Sequence, residues 1–147
     1  ESKFDFFNKK SEIIEKTKDF IGKALATLIN ELHSETCNYN IYFNESWFHI
    51  GKQNSVHEVH SHPNCSWCGI YFVQAGDKGS GETTFCTPIN TNYLDRGNRY
   101  LDNQMMYRAE PEDGLLILFP SYLHHYQALY TGKKDRIVVA FNAAIYD

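Results

Sequence analysis

The sequence predicts a mainly β fold in which one N-terminal helix supports a sandwich or jelly roll of short strands. Residues 11–33 carry apolar side chains at the i, i+3, i+4, i+7 spacing of a helix with one buried face. After residue 35, short runs rich in β-branched and aromatic residues alternate with turn residues. We therefore expect a single domain over residues 1–147, with helical support over 1–35 and a β core over 36–147.

Each element has its own local signal. Ser11 is a suitable N-cap for the helix, and Glu12 and Glu15 in its first turn complement the helix dipole. A polar stretch at residues 89–112 predicts either a strand with a loop or a functional lid. The predicted strands cover residues 40–43, 46–50, 56–62, 69–74, 82–86, 115–119, 124–129 and 136–142.

The composition of the chain argues against nucleic-acid and membrane partners. The net charge is −4, and the basic cluster of Lys133, Lys134 and Arg136 is too short for a nucleic-acid groove. No apolar run approaches the roughly 18 residues of a membrane span, so we expect no membrane partner. Four cysteines in 147 residues are few for a disulfide scaffold. We therefore expect free thiols and a cytoplasmic protein.

Histidines concentrate in two places and predict a metal site. His60 and His62 are two residues apart, so on a strand they project from the same face and suit one ion. His124 and His125 follow a strongly apolar run, and their side chains project to opposite faces of a strand. One of them can therefore supply a third ligand. Imidazole suits zinc, copper, iron and nickel.

A pair of cysteines and a glutamate near these histidines leave other metal-ligand sets open. Cys65 and Cys68 form a CxxC pair beside the histidines, which is compatible with a structural zinc site. However, no second CxxC is present, and a strand rather than a helix is expected after Cys68. Glu58 lies on the same predicted face as His60 and His62 and is an alternative carboxylate ligand.

Four runs of the sequence follow the order of a known set of motifs. Residues 60–73 resemble HxHPGSxLSGVYYV, 81–88 resemble GxLxFxDP, 114–125 resemble GxLxLFPSxLxH, and 136–142 resemble RISISFN. These are motifs of the 2-oxoglutarate–Fe(II) oxygenases related to prolyl hydroxylases, and the resemblance covers roughly residues 46–142. The resemblance implies a double-stranded β-helix, a cupin-like jelly roll with its metal at the open end.

The resemblance also assigns roles to residues. It implies that His60, His62 and His125, rather than His124, hold Fe(II) and are the catalytic residues. It implies that Arg136, 11 residues after His125, pairs with the far carboxylate of the cosubstrate 2-oxoglutarate. The planar guanidinium is suited to a carboxylate. The implied enzyme is a dioxygenase that hydroxylates a C–H bond.

We single out three departures of the chain from the family pattern; one of them, Thr87 where the motif has Asp before Pro88, is taken as structural only. The usual triad of two histidines and one carboxylate has His62 at the position of the carboxylate. Phe72 stands where the motif has its second tyrosine. If that hydroxyl helps to hold 2-oxoglutarate, another tyrosine must replace it; Tyr42, Tyr71 and Tyr107 are candidates, and we take Tyr71 and Tyr42 as cosubstrate contacts.

Two other functions compete with this one. A cupin-type three-histidine dioxygenase would work without 2-oxoglutarate, and a jelly-roll module would bind metal without catalysis. Arg136 discriminates, because only the 2-oxoglutarate enzyme requires it. The expected partner is a small-molecule or peptidyl substrate, and a homodimer is left open.

Overall fold

The computed structural model describes residues 2–33, 38–88 and 106–147. A 3-10 turn at Phe6–Asn8 precedes the helix α1 (Glu12–Leu32), and strands follow it. The predicted class, mainly β with one N-terminal helix, is confirmed. The strands are β1 (Asn40–Gly51), β2 (His57–His60), β3 (Trp67–Gln74), β4 (Thr83–Cys86), β5 (Met106–Ala109), β6 (Leu116–Pro120), β7 (His125–Gln127) and β8 (Arg136–Tyr146).

The described strands form two four-stranded sheets. The first has the order β1-β8-β3-β6, and the second has the order β2-β7-β4-β5. All pairings between these strands are antiparallel. This is the double-stranded β-helix, or jelly roll, that the family resemblance implied. A cavity lies between the sheets, since residues of both sheets line it.

Helix α1 covers the outer face of the first sheet. Its Ile21, Leu25 and Ile29 are buried and belong to one apolar cluster with Val139 and Phe141 of β8. The sequence places these helical residues four positions apart, which keeps them on one face. Burial of each such side chain contributes roughly 1.5–3 kcal/mol. The helix thus holds the first sheet from outside and leaves the inner face for the cavity.

Strand β8 alternates between these two environments. Val139 packs in the helix-side cluster, whereas Arg136, Val138 and Ala140 line the cavity; Phe141 packs in the cluster and also borders the cavity. This is the two-residue period of a strand buried on both faces. The register of β8 therefore decides which side chains reach the interior of the jelly roll.

Three elements differ from the prediction. Strand β1 is continuous where two strands were expected, because an irregularity between Phe43 and Glu45 absorbs an extra residue and pairing with β8 resumes. Strand β5 falls inside the polar stretch 89–112, and the lid alternative for that stretch depends mostly on residues 89–105, which lie outside the described part. Strand β2 ends at His60, two residues before His62.

Within the described ranges, the chain has no helix long and apolar enough to cross a membrane.

Candidate metal centre

The structure brings His60, His62 and His125 together in the lining of the cavity. His60, the last residue of β2, pairs directly with His125, the first residue of β7. His62 follows the strand, and its backbone N–H donates to the carbonyl of Ser121 at 3.3 Å. One ligand atom from each of the three histidines lies within 4.8 Å of the others. The second sheet and the turn after β2 therefore assemble the three predicted ligands.

Backbone carbonyls orient two of the imidazole rings. Nδ1 of His60 is 2.7 Å from the carbonyl oxygen of Glu58, and Nδ1 of His125 is 2.9 Å from that of Leu123. A carbonyl oxygen can only accept, so each Nδ1 carries the hydrogen and each Nε2 keeps its lone pair. Carbonyl partners of this kind orient metal-binding histidines. Both rings are thus prepared to bind an ion through Nε2.

The spacing also fits one ion. Nε2 of His62 and Nε2 of His125 lie 3.4 Å apart. Imidazole nitrogens bind metals such as zinc at about 2.0–2.1 Å, so two ligands at right angles are roughly 3 Å apart. A small closure of the site would therefore bring these two nitrogens to ligand distance.

Burial keeps two of the histidines neutral. It lowers the pKa of His62 to about 4, with smaller contributions from His125 and His60. It also lowers the pKa of His125 to about 4, although the hydrogen bond to the carbonyl of Leu123 opposes the shift. Neutral imidazole is the form that binds a metal. These two residues therefore need no deprotonation near pH 7.

Neighbouring candidates lie outside this cluster. His125 is buried, whereas His124 is exposed. Glu58 is exposed, and the structure uses its backbone carbonyl rather than its carboxylate. The cluster thus consists of three imidazoles. Cys65 and Cys68, like Cys86, are free thiols, and Cys37 falls in a part that the structure does not describe.

A cavity of about 70 Å³ extends from the histidines. It is several times larger than the roughly 10–15 Å³ that one water molecule requires, so it has room for a small ligand group. Its walls contain both polar and apolar side chains, and Arg136 is among the residues that line it. Others in the lining are Trp47, His49, His57, Ile70, Thr83, Phe119, Gln127 and Val138.

Arg136 is a cation in the lining of this cavity, and it is only 2% exposed. Its Nη1 donates to Oε1 of Gln127 at 2.8 Å, and its guanidinium lies 4.9 Å from the ring centre of Phe72. Its Nε is buried without a hydrogen-bond partner. Among the described residues, no carboxylate forms an ion pair with it. Burial lowers the pKa of Arg136 to about 10, which leaves it charged at pH 7.

The predicted tyrosines do not reach the cavity. Tyr71 packs edge to face against Phe20 of α1, and Tyr42 is 53% exposed beside Tyr146. Tyr107, the third candidate, is 64% exposed. The structure therefore does not support Tyr42 and Tyr71 as cosubstrate contacts. Tyr71 faces the helix because β3 alternates, and the side chains of β3 that line the cavity are those of Cys68 and Ile70.

Three residues of the cavity lining were not predicted from the sequence. His49, His57 and Gln127 were not singled out for this site, yet all three line the cavity. His49 had a usable signal, since it lies two residues after Trp47 on one strand. The two side chains therefore share a face, and Trp47 also lines the cavity. Gln127 had a weaker one, because it lies two residues after His125 on β7.

The fold and the site together define a jelly-roll protein with a three-histidine metal site and a buried arginine in the same cavity. The chain belongs to a family described as "Putative 2OG-Fe(II) oxygenase", whose model matches residues 45–142. The match covers about two thirds of the chain and includes all three histidines and Arg136. No curated protein sequence matches the chain significantly.

Solved structures of the same fold include three oxygenases. HygX from Streptomyces hygroscopicus, with nickel and 2-oxoglutarate bound, has a TM-score of 0.67 and 12% identity, covering 97% of this chain and 70% of that one. A Pseudomonas putida prolyl-4-hydroxylase has a TM-score of 0.62 and 11% identity, covering 92% and 68%. A 2OG-Fe(II) oxygenase family oxidoreductase from Burkholderia pseudomallei has a TM-score of 0.62 and 12% identity. The match covers 89% of this chain but only 55% of the Burkholderia protein.

Proposed function

We propose that this protein is a 2-oxoglutarate- and Fe(II)-dependent dioxygenase that hydroxylates a C–H bond of a small-molecule or peptidyl substrate. The observation that carries the proposal is Arg136, a buried cation that lines the same cavity as the histidine cluster and has no carboxylate partner among the described residues. Metal binding alone does not require such a residue. A cosubstrate with a carboxylate at its far end does.

The role of Arg136 follows from the cost of its burial. An isolated buried charge is unfavourable unless it is paired. Gln127 occupies Nη1, and Nε is buried without a partner. A carboxylate of 2-oxoglutarate would supply the missing negative charge and accept from the free donors of the guanidinium. Phe72 would support the flat face of the guanidinium.

The histidine cluster suits the metal. His60, His62 and His125 would hold Fe(II) through nitrogen, and bound iron would supply the activation of dioxygen. Carbonyl partners fix the rings of His60 and His125, so little reorganisation is needed when the ion enters. The apolar side chains of Phe119 and Ile70 line the cavity and limit the access of water.

Three neutral ligands have an electrostatic consequence. The described residues offer no negative charge to a divalent ion at this site, and Arg136 adds positive charge to the same cavity. A dianionic cosubstrate would compensate both. We therefore expect the metal and 2-oxoglutarate to bind with positive coupling, each increasing the affinity for the other.

The neutral ligand set also favours a second function, a three-histidine dioxygenase that does not use 2-oxoglutarate. The deciding test is succinate release from 2-oxoglutarate by the Fe(II)-loaded protein. We expect succinate release from wild type and from the control variant His124→Ala, because the side chain of His124 is exposed. We expect no succinate release from His125→Ala or from Arg136→Met. Oxygen consumption that is independent of 2-oxoglutarate and insensitive to Arg136→Met would establish the second function instead.

A further inference from the structure

A pair of cysteines lies directly beside the histidine cluster. Cys65 is three residues after His62, and Cys68 is the second residue of β3. Their Sγ atoms are 3.7 Å apart. Both occupy positions where the resembled motif, HxHPGSxLSG, has serine. The pair is therefore a feature of this chain that the proposed dioxygenase chemistry does not use.

The two thiols differ in accessibility. Cys65 is half-buried in the turn between β2 and β3, whereas Cys68 is 1% exposed and lines the cavity. An oxidant in solution therefore meets Cys65 first. Cys68 is within reach of any product formed on Cys65, because their sulfur atoms are already in contact.

The two thiols also differ in how firmly the backbone holds them. Cys68 lies on a strand paired on both sides, opposite Phe119 of β6 and Asn142 of β8. Cys65 lies in a turn, where its carbonyl accepts a hydrogen bond from Oγ of Ser121 at 2.7 Å. A disulfide has an S–S bond of about 2.05 Å, so closure from the present separation requires roughly 1.7 Å of approach. Most of that movement must come from Cys65 and its turn.

Movement of this turn would reach the metal ligand. The Sγ atom of Cys65 lies 3.7 Å from the carbonyl oxygen of His62, within the same turn. We propose that Cys65 and Cys68 form a dithiol that hydroperoxides oxidise to a disulfide, and that closure of the disulfide displaces His62 from the metal site.

The chemistry balances with hydrogen peroxide as the oxidant. The sulfur of Cys65 attacks one peroxide oxygen, the O–O bond breaks, and a sulfenic acid and one water molecule form. The sulfur of Cys68 then attacks the sulfur of Cys65, forms the S–S bond and releases a second water molecule. Two thiols lose two electrons in total, and one peroxide is reduced to two water molecules.

The first test is mass spectrometry of the full chain after treatment with hydrogen peroxide. Trypsin leaves both cysteines in one peptide, residues 53–78, which contains no other cysteine. We expect this peptide to lose the mass of two hydrogen atoms and to resist alkylation until it is reduced. Cys65→Ser should prevent the change, and Cys86→Ser, which alters a cysteine elsewhere, should not. Oxidation of Cys65 to sulfinic acid without a disulfide would overturn the proposal.

The second test measures whether oxidation of the two cysteines changes the affinity of the histidine cluster for a metal ion. The probe is Mn²⁺, which prefers oxygen and nitrogen ligands and has little preference for thiols. Disruption of groups that orient metal ligands typically lowers affinity by 10- to 100-fold, so we expect a loss of about this size on oxidation. Cys65→Ser treated in the same way should keep its affinity, and reduction should restore that of wild type. A disulfide that forms without changing Mn²⁺ affinity would contradict the displacement of His62.

Neither measurement uses 2-oxoglutarate or turnover. A negative result therefore refutes the dithiol proposal and leaves the proposed dioxygenase function intact. Conversely, a protein that releases no succinate can still show both effects.

Discussion

Replacement of Arg136 tests whether its burial serves a ligand rather than the fold. Burial lowers the pKa of this guanidinium from 12.5 to about 10. At 1.36 kcal/mol per unit, the charged form costs the folded state about 3 kcal/mol at pH 7. Because burial lowers the pKa, this cost to the folded state is complete below pH 10 and declines as the pH rises from 10 towards 12.5.

The double variant Arg136→Met, Gln127→Leu removes the charge and its hydrogen-bond partner together. Removal of the buried charge gains about 3 kcal/mol, and three lost interactions offset this gain. They are the hydrogen bond from Arg136 to Gln127, the contact of Arg136 with Phe72, and the hydrogen bond from Gln127 to the carbonyl of Ser55, each worth about 0.5–1.5 kcal/mol. The three losses together amount to about 1.5–4.5 kcal/mol, so we expect the stability of the metal-free double variant to lie within about 1.5 kcal/mol of that of wild type. The single variant Arg136→Met should be less stable than the double variant, because it leaves Oε1 of Gln127 buried without a donor.

Urea denaturation at pH 7 with a chelator and without 2-oxoglutarate measures these differences. Excess 2-oxoglutarate added to the Mn²⁺-loaded protein should then stabilise wild type by a further ~2.7 kcal/mol at 100 times its Kd, and should add nothing to the stability of the Mn²⁺-loaded double variant. A double variant destabilised by several kcal/mol would refute the reasoning, since Arg136 would then be a structural residue.

Three further predictions concern the metal centre and the helix. Mn²⁺ binding measured by calorimetry should be lost in His125→Ala and retained in His124→Ala; equal losses would contradict the choice of ligand. In wild type, saturating 2-oxoglutarate should raise Mn²⁺ affinity at least tenfold, or about 1.4 kcal/mol, and Mn²⁺ should raise 2-oxoglutarate affinity by the same factor; independent binding would contradict the electrostatic argument. Leu25→Ala should lower the free energy of unfolding by about 2–5 kcal/mol, whereas Ile13→Ala, at a 70% exposed position, should change it by less than about 0.5 kcal/mol.

Periodicity predicted the parts of the fold that have one buried face. The apolar stripe of α1 gave its location to within a residue at each end, because a helix on a sheet buries one side only. The bulge near Phe43 left no such signal, so one strand was predicted as two. A strand was one alternative for residues 89–112, but β5 was not placed within that stretch, because Met106, Tyr107 and Arg108 are exposed and do not alternate clearly.

The histidines were easier to find than the other residues of the site. Imidazoles at a spacing of two, followed by a distal pair, are a chemical signal that does not depend on knowing which face of a strand points inward. Tyr71 carried no such signal. It lies on a central strand that is apolar on both faces, and such a strand does not show from sequence which face meets the helix. The position of Tyr71 follows only from the packing of β3 against α1.

Strand β2 is four residues long and, among the described strands, lies at the edge of the second sheet and pairs with β7 alone. Its contact with β7 ends on His60 and His125, two of the three histidines in the metal site. An ion held by both would therefore cross-link the edge of the sheet at its last pair. Metal binding and the local opening of this edge are then linked equilibria, and loss of the ion should make the amides of β2 exchange faster with solvent.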